Sequence, residues 1–192
     1  MFEVEVKIID IDVEGFVKKI ISLGAKKIFS GNAKSIVYYV GDKKIIRLRA
    51  FSSDNVSSDN MKPSETVKEV VELTYKGPVQ KSKYKVREEI NMKLDNFENA
   101  AKILANMGLK EGIFFEKYRE SYELTLKGMT FHIDVDDYHK IPKFIEIETK
   151  DEDELRRVLE YFKIKDKNLF TKSLRELAKH YDAPISEIYK GL

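Results

Sequence analysis

The 192-residue chain has no cysteine, no tryptophan, a single glutamine and only three histidines. The missing cysteine removes disulfides, thiolate zinc sites and cysteine nucleophiles together. No stretch approaches the eighteen or so apolar residues of a membrane helix, and the first residues alternate Glu and Val without an apolar signal core. A cytoplasmic protein with no membrane partner is therefore expected. An excess of one charge sign is missing too, since 35 basic and 33 acidic residues leave a net charge of +2. That balance gives no global field for capturing nucleic acid. Chemistry here must rest on carboxylates, amines, guanidinium groups or a bound metal.

What the chain does have is charge, 35% of its residues, beside 42% hydrophobic residues. This length supports one domain over residues 1–192, its C-terminal helices at about 151–192 included. FEVEVKII (2–9) sets Phe2, Val4, Val6 and Ile8 against Glu3, Glu5 and Lys7 at the two-residue period of a strand. Asp12 then caps a helix that ends at Gly24. Strands are predicted over 25–40 and 43–50, joined at Gly41-Asp42, and again over 71–78 and 83–92. The polar stretch 52–64 reads as a long loop able to act as a lid. Asp95 and Glu98 look like a capping-box start for a second helix ending at Gly108. Strands over 114–126, 129–138 and 143–149 bring the total to about eight, enough to close an antiparallel barrel. Two helices and a short third follow Asp151. Glu5 to Gly24 and Glu89 to Gly108 repeat the same 19-residue spacing, which suggests an internal duplication. The predicted fold class is α+β: a closed eight-stranded antiparallel β-barrel with helices packed on the outside.

Nearly every strand has one apolar face and one face of mixed charges. In most antiparallel sheets such charges face solvent. Here the helices need an apolar surface to cover, and packing them outside the barrel turns the charged faces inward. A lumen holding that many charges must be wet, because an unpaired charge in a dry interior costs several kcal/mol. Carboxylates concentrate at Glu3 and Glu5 on the first strand and at Asp134, Asp136, Glu146 and Glu148 on the late strands. Closure brings those strands together into a hard-oxygen site suited to Mg²⁺ or Mn²⁺. Arg47, Arg49, Lys76, Arg87, Lys117 and Arg119 form a basic wall suited to polyphosphate. The three histidines do not cluster at metal spacing. Tyr38, Tyr39, Phe114, Phe115 and Tyr118 read as core in preference to base-stacking residues.

Glu3-Val-Glu5-Val-Lys7 is an ExExK motif, and it resembles that of the CYTH family, the triphosphate tunnel metalloenzymes. The resemblance continues in order through Arg47-x-Arg49, Glu72 with Thr74-Tyr-Lys76-Gly-Pro, Arg87-Glu-Glu89, Lys117-x-Arg119, Asp134 and Phe-x-Glu146-x-Glu148. It covers roughly residues 1–175. It departs at DDYHKIPK, where members often carry a Gly-rich turn. The likeness implies an eight-stranded tunnel, a small-molecule triphosphate substrate and divalent-metal-dependent hydrolysis, with adenylate cyclisation of ATP as the alternative. It further implies Glu3, Glu5, Asp134, Glu146 and Glu148 as metal ligands, with Glu5, Glu148 and Lys7 at the catalytic centre. Lys7, Arg47, Arg49, Lys76, Arg87, Lys117 and Arg119 would hold the phosphates, and Lys172 matches a C-terminal basic position. Asp136 reads as a bystander. The oligomeric state is open, a homodimer included.

Overall fold

The computed structural model describes residues 2–54 and 69–190. In chain order its elements are β1 (Phe2–Ile8), α1 (Val13–Ser22), β2 (Lys26–Tyr39), β3 (Ile45–Ser53), β4 (Val70–Lys76), β5 (Lys85–Leu94), α2 (Phe97–Asn106), β6 (Glu111–Leu126), β7 (Met129–Tyr138), β8 (Ile141–Thr149), α3 (Glu152–Phe162), β9 (Leu169–Phe170), α4 (Leu174–His180), α5 (Ile185–Ile188) and β10 (Tyr189–Lys190). The eight long strands run β6-β2-β3-β4-β5-β1-β8-β7, and β7 pairs back onto β6 to close the barrel. All these pairings are antiparallel. Two-residue strands β9 and β10 attach to β1 and β6.

The two faces of β1 decide which side is the core. Val4, Val6 and Ile8 pack outward against Phe16 and Ile20 of α1 and Leu155, Val158 and Phe162 of α3. Helix α2 does the same over β2 and β3, laying Phe97, Ala100 and Leu104 on Tyr38, Leu48 and Ala50. Helices α4 and α5 close one end of the barrel, where Leu177, Ala178 and Ile188 meet Val37, Phe115, Tyr138 and Phe144. The usual solvent-facing placement of the charges is thus reversed, and the alternate residues of each strand face the lumen.

Local signals start and stop the helices. Asp12 accepts from the Gly15 N–H at 2.9 Å, and Gly24 adopts a left-handed φ of +91° after α1. The second helix begins one residue later than the capping-box signal suggests, because Asn96, not Asp95, accepts from the Asn99 N–H. Ser173 and Glu176 form a reciprocal capping box for α4, so the preceding Lys172 lies before the helix and not on it. Strand β3 extends to Ser53, so Ser52 and Ser53 belong to the ladder. Of the loop read over 52–64, residues 55–64 lie outside the described residues. The DDYHKIPK departure is absorbed by a tight turn in which Lys140, at φ +66°, takes the left-handed conformation a glycine would favour.

The register makes the duplication explicit. Glu5 and Glu89, the caps Asp12 and Asn96, and Gly24 and Gly108 are each separated by the same 84 positions. Val37 faces Arg47 across β2–β3 just as Ser121 faces Asp134 across β6–β7. Thr74 faces Arg47 as Glu146 faces Asp134, and Lys76 faces Glu89 as Glu148 faces Glu5. An internal two-fold therefore exchanges Arg47 with Asp134, Arg49 with Asp136, and Lys76 with Glu148.

Leu155 is fully buried between α3 and the barrel. Leu155→Ala is expected to lower the unfolding free energy by about 3 kcal/mol in urea titration, against about 0.5 kcal/mol or less for exposed Glu160→Ala.

Candidate functional site

Two cavities, of about 400 and 470 Å³, occupy the lumen and share Glu5, Arg47, Arg49, Lys76, Arg119 and Glu146 along their boundary. They are two halves of one passage. Seven carboxylates and four Arg or Lys side chains line the first half. Nine Arg or Lys side chains and four carboxylates line the second, which ends under the cap formed by the C-terminal helices. The opposed acidic and basic walls read from the sequence are thus also segregated along the passage, one end acidic and the other basic.

At the acidic end β1 and β8 place Glu5 directly opposite Glu148, and Lys7 opposite Glu146. Closure of the sheet is what brings these residues together. Burial and the neighbouring charges of Glu3, Glu5, Glu146 and Asp134 push the Glu148 carboxyl up to about 8. Glu3 is pushed up to about 7 by burial and by Glu89. Glu5 differs: burial and Glu146 oppose its ionisation, yet Lys85, Lys7 and Lys76 outweigh them and hold it at about 2. Glu146 is buried as well, but Lys7 and Arg119 keep it well below the usual carboxylate range. Crowding among the carboxyls therefore favours the protonated form at Glu3 and Glu148, whereas basic partners keep Glu5 and Glu146 ionised.

The basic side chains are occupied to different degrees. Lys7 Nζ lies 3.1 Å from Glu146 and 3.8 Å from Glu5, and Lys85 and Lys76 pair with Glu5 and Glu89. Arg87 donates from Nε to the Gly77 carbonyl at 2.9 Å, which secures the end of β4. Asp136 is no bystander. It is 1% exposed, accepts from Lys117 at 2.7 Å, and receives both Nε and Nη2 of Arg119 at 2.6 and 2.7 Å. Asp134 pairs with Arg119 too. Burial beside Arg119 still lowers Lys117 to about 7, against the pull of Asp136. Among the described residues, Arg47 and Arg49 have no carboxylate partner. Among the described residues, Arg49 donates to the Ser35 hydroxyl at 3.2 Å and lies over the Phe51 ring, while Arg47 Nε and the neighbouring Thr74 hydroxyl are buried without any hydrogen-bond partner. Lys172 is exposed and lines the basic end.

Every expected site residue thus faces this passage. The sequence reading named Asp136 as a bystander and Glu89 only within a motif, and gave Lys85 no role; their importance lies in cross-strand pairing that only the register reveals. His132 lines the acidic end, whereas His139 and His180 lie outside both halves. Tyr38 and Phe115 are core as read, while Tyr39 is 56% exposed. Among the described residues, no three Asp, Glu or His side chains are arranged as a formed metal site. The reason is visible: Glu5, Glu146 and Asp134 are each turned to a basic partner. The donor set still suits a hard divalent cation, being all carboxyl oxygen, with Glu3 and Glu148 free of the basic partners that hold Glu5 and Glu146 among the described residues.

A closed barrel with a charge-lined passage, acidic at one end and basic at the other, defines a tunnel protein. The chain belongs to the CYTH domain family, whose profile matches residues 1–181. It is 31% identical over 114 residues to a Methanocaldococcus jannaschii protein named as a candidate adenylate cyclase, a match spanning 55% of this chain and 63% of that protein. The fold is shared with the Pyrococcus horikoshii protein PH1819 (TM-score 0.67, 24% identity, 93% of this chain and 98% of the other). It is also shared with a Hippeastrum protein described as a candidate adenylyl cyclase with a dominant triphosphatase activity (TM-score 0.61, 12% identity, 95% and 96%). No helix among the described residues is long and apolar enough to cross a membrane.

Asp136→Asn would take its paired anion from buried Lys117 and one of two close carboxylates from Arg119. An about 3–5 kcal/mol loss of stability is expected in thermal or urea unfolding, with partial recovery on adding tripolyphosphate.

Proposed function

We propose that the protein hydrolyses small-molecule triphosphates with the help of a divalent cation, Mg²⁺ or Mn²⁺, inside the tunnel. The observation that carries this reading is the pair Arg47 and Arg49, without carboxylate partners among the described residues, at the junction of the acidic and basic halves. A guanidinium is built to take two phosphate oxygens at once, and the orphaned Arg47 Nε and Thr74 hydroxyl supply further donors. The polyphosphate would lie along Arg47, Arg49 and Lys76 toward Lys117, Arg87 and Lys172. Arriving phosphate would compete with Asp134, Asp136 and Glu146 for Arg119 and Lys117, and with Glu5 and Glu146 for Lys7.

Carboxylates released in this way, together with Glu3 and Glu148, would hold the cation. Once bound, it would supply Lewis-acid polarisation of the phosphoryl oxygens. Lys7 is held charged by Glu146 and Glu5 despite burial, which suits it to stabilising developing negative charge and not to donating a proton. The basic wall offsets charge on the leaving phosphate.

Cyclisation of ATP is the second reading, favoured by the name of the Methanocaldococcus relative. Incubating ATP with Mg²⁺ or Mn²⁺ and resolving the products separates the two. Orthophosphate release is expected, and cyclic AMP with pyrophosphate would reject hydrolysis.

Glu5→Gln and Glu148→Gln are each expected to lower metal-dependent turnover at least a hundredfold with circular dichroism unchanged. Turnover retained in both variants would overturn the proposed metal site. Arg49→Ala is expected to raise KM about tenfold or more with a smaller change in kcat.

A further inference from the structure

The barrel has an open edge where two neighbouring strands differ in length. Strand β1 pairs with Lys85–Glu88 of β5, from Glu5↔Lys85 to Phe2↔Glu88. Beyond Glu88, β5 continues to Leu94 beside β4 alone among the described residues. The Glu88 carbonyl accepts from the Gly77 N–H and the Val86 carbonyl from the Gln80 N–H, so the backbone groups of these even positions point to the β4 side. Those of Glu89, Asn91 and Lys93 therefore point to the open side. A row of this kind is a template for another strand.

The outer face beside this edge is bare as well. Phe2, Ile90 and Met92 are 51%, 56% and 54% exposed, although they share a face with Val4 and Val86, which the helical layer buries. The internal two-fold identifies what would cover such a place. Lys7 and Ile8 stand 84 positions before Asn91 and Met92, and on the corresponding side they carry β9, through Phe170 and Leu169. Helix α3, just ahead of β9, covers the apolar face next to them. No described segment pairs with Asn91 and Met92 on that side.

We infer that the open edge of β5 is an interface for a second copy of this chain, the two β5 strands pairing antiparallel across a two-fold axis that passes between their Asn91 residues. The strand is complementary to itself in that register, as an interface built from one patch used twice requires. Glu89 of each copy faces Lys93 of the other, so a carboxylate that already holds Lys76 gains a second cation. The two Asn91 amides, each with donors and an acceptor, face one another. Ile90 of each copy faces Met92 of the other on the outer face, in the pairs without ladder hydrogen bonds, where side chains come closest. Sliding the register by two residues sets Glu89 or Lys93 opposite Asn91 and breaks both charge pairs, while sliding it by one puts apolar side chains against the wrong face.

The test is sedimentation equilibrium of the full chain over a concentration series, with a species of twice the 22.4 kDa chain mass expected. Asn91→Pro removes the ladder N–H at the axis, a change that an edge strand tolerates, and is expected to give a monomer with circular dichroism unchanged. Met92→Glu buries a carboxylate against Ile90 of the other copy and is expected to weaken association about tenfold or more, which keeps the inference testable should the proline variant misfold. The chain has no cysteine of its own, so Asn91→Cys introduces a single thiol. Facing residues of a hydrogen-bonded antiparallel pair lie about 5.5 Å apart at Cα, within disulfide reach, and mild oxidation is expected to link two chains. Lys93→Cys faces Glu89 and is expected to stay unlinked. A wild type that remains a monomer at every concentration, a dimer that neither Asn91→Pro nor Met92→Glu weakens, or cross-linking through Lys93→Cys and not Asn91→Cys would overturn the interface.

Discussion

The structure depends on one constraint: charges lining a lumen must be hydrated, paired or bound to a ligand. Turning the charged faces inward commits the apolar faces to the outside, and those faces then require helices to keep them from water. Helices α1, α2 and α3 meet that demand along the wall, while α4 and α5 meet it at one end. The helical layer is thus a consequence of the lumen, not a separate addition to a barrel.

Pairing within the lumen also explains why the carboxylates do not converge on a metal position. Lys7, Lys85 and Arg119 occupy Glu5, Glu146 and Asp134, so much of the lumen neutralises itself. The exceptions, among the described residues, are Arg47 and Arg49, which have no carboxylate partner, and Glu3 and Glu148, where crowding with other carboxyls favours the protonated form. Under the reading proposed above, a polyanion would meet the arginines and a divalent cation would displace the protons of the carboxyls, so binding would exchange internal ion pairs for external ones.

Much of this was legible in the sequence. The two-residue alternation from Glu3 to Lys7 announced a strand with a charged face, and the closure of first strand on last followed from counting eight strands. The caps Asp12, Gly24 and Gly108 were visible because capping is local chemistry. What the sequence could not convey depends on register. Asp136 looks redundant beside Asp134 until β6 places Lys117 and Arg119 around it. Asn91 looks like any polar strand residue, because the end of β1 leaves no compositional mark on β5. Asn96 and not Asp95 caps the second helix, a one-residue choice that two side chains of equal reach leave unmarked in the sequence.

The internal two-fold carries a consequence of its own. Two identical halves would give a passage that looked the same from either mouth, and an asymmetric guest could enter it backwards as easily as forwards. Exchanging Arg47 and Arg49 on β3 for Asp134 and Asp136 on β7, and Lys76 on β4 for Glu148 on β8, abolishes that equivalence while preserving the backbone symmetry. The result is a conduit with a built-in gradient of potential. A molecule charged at one end and neutral at the other has a single energetically favoured heading within it, so the barrel distinguishes head from tail before any chemistry begins.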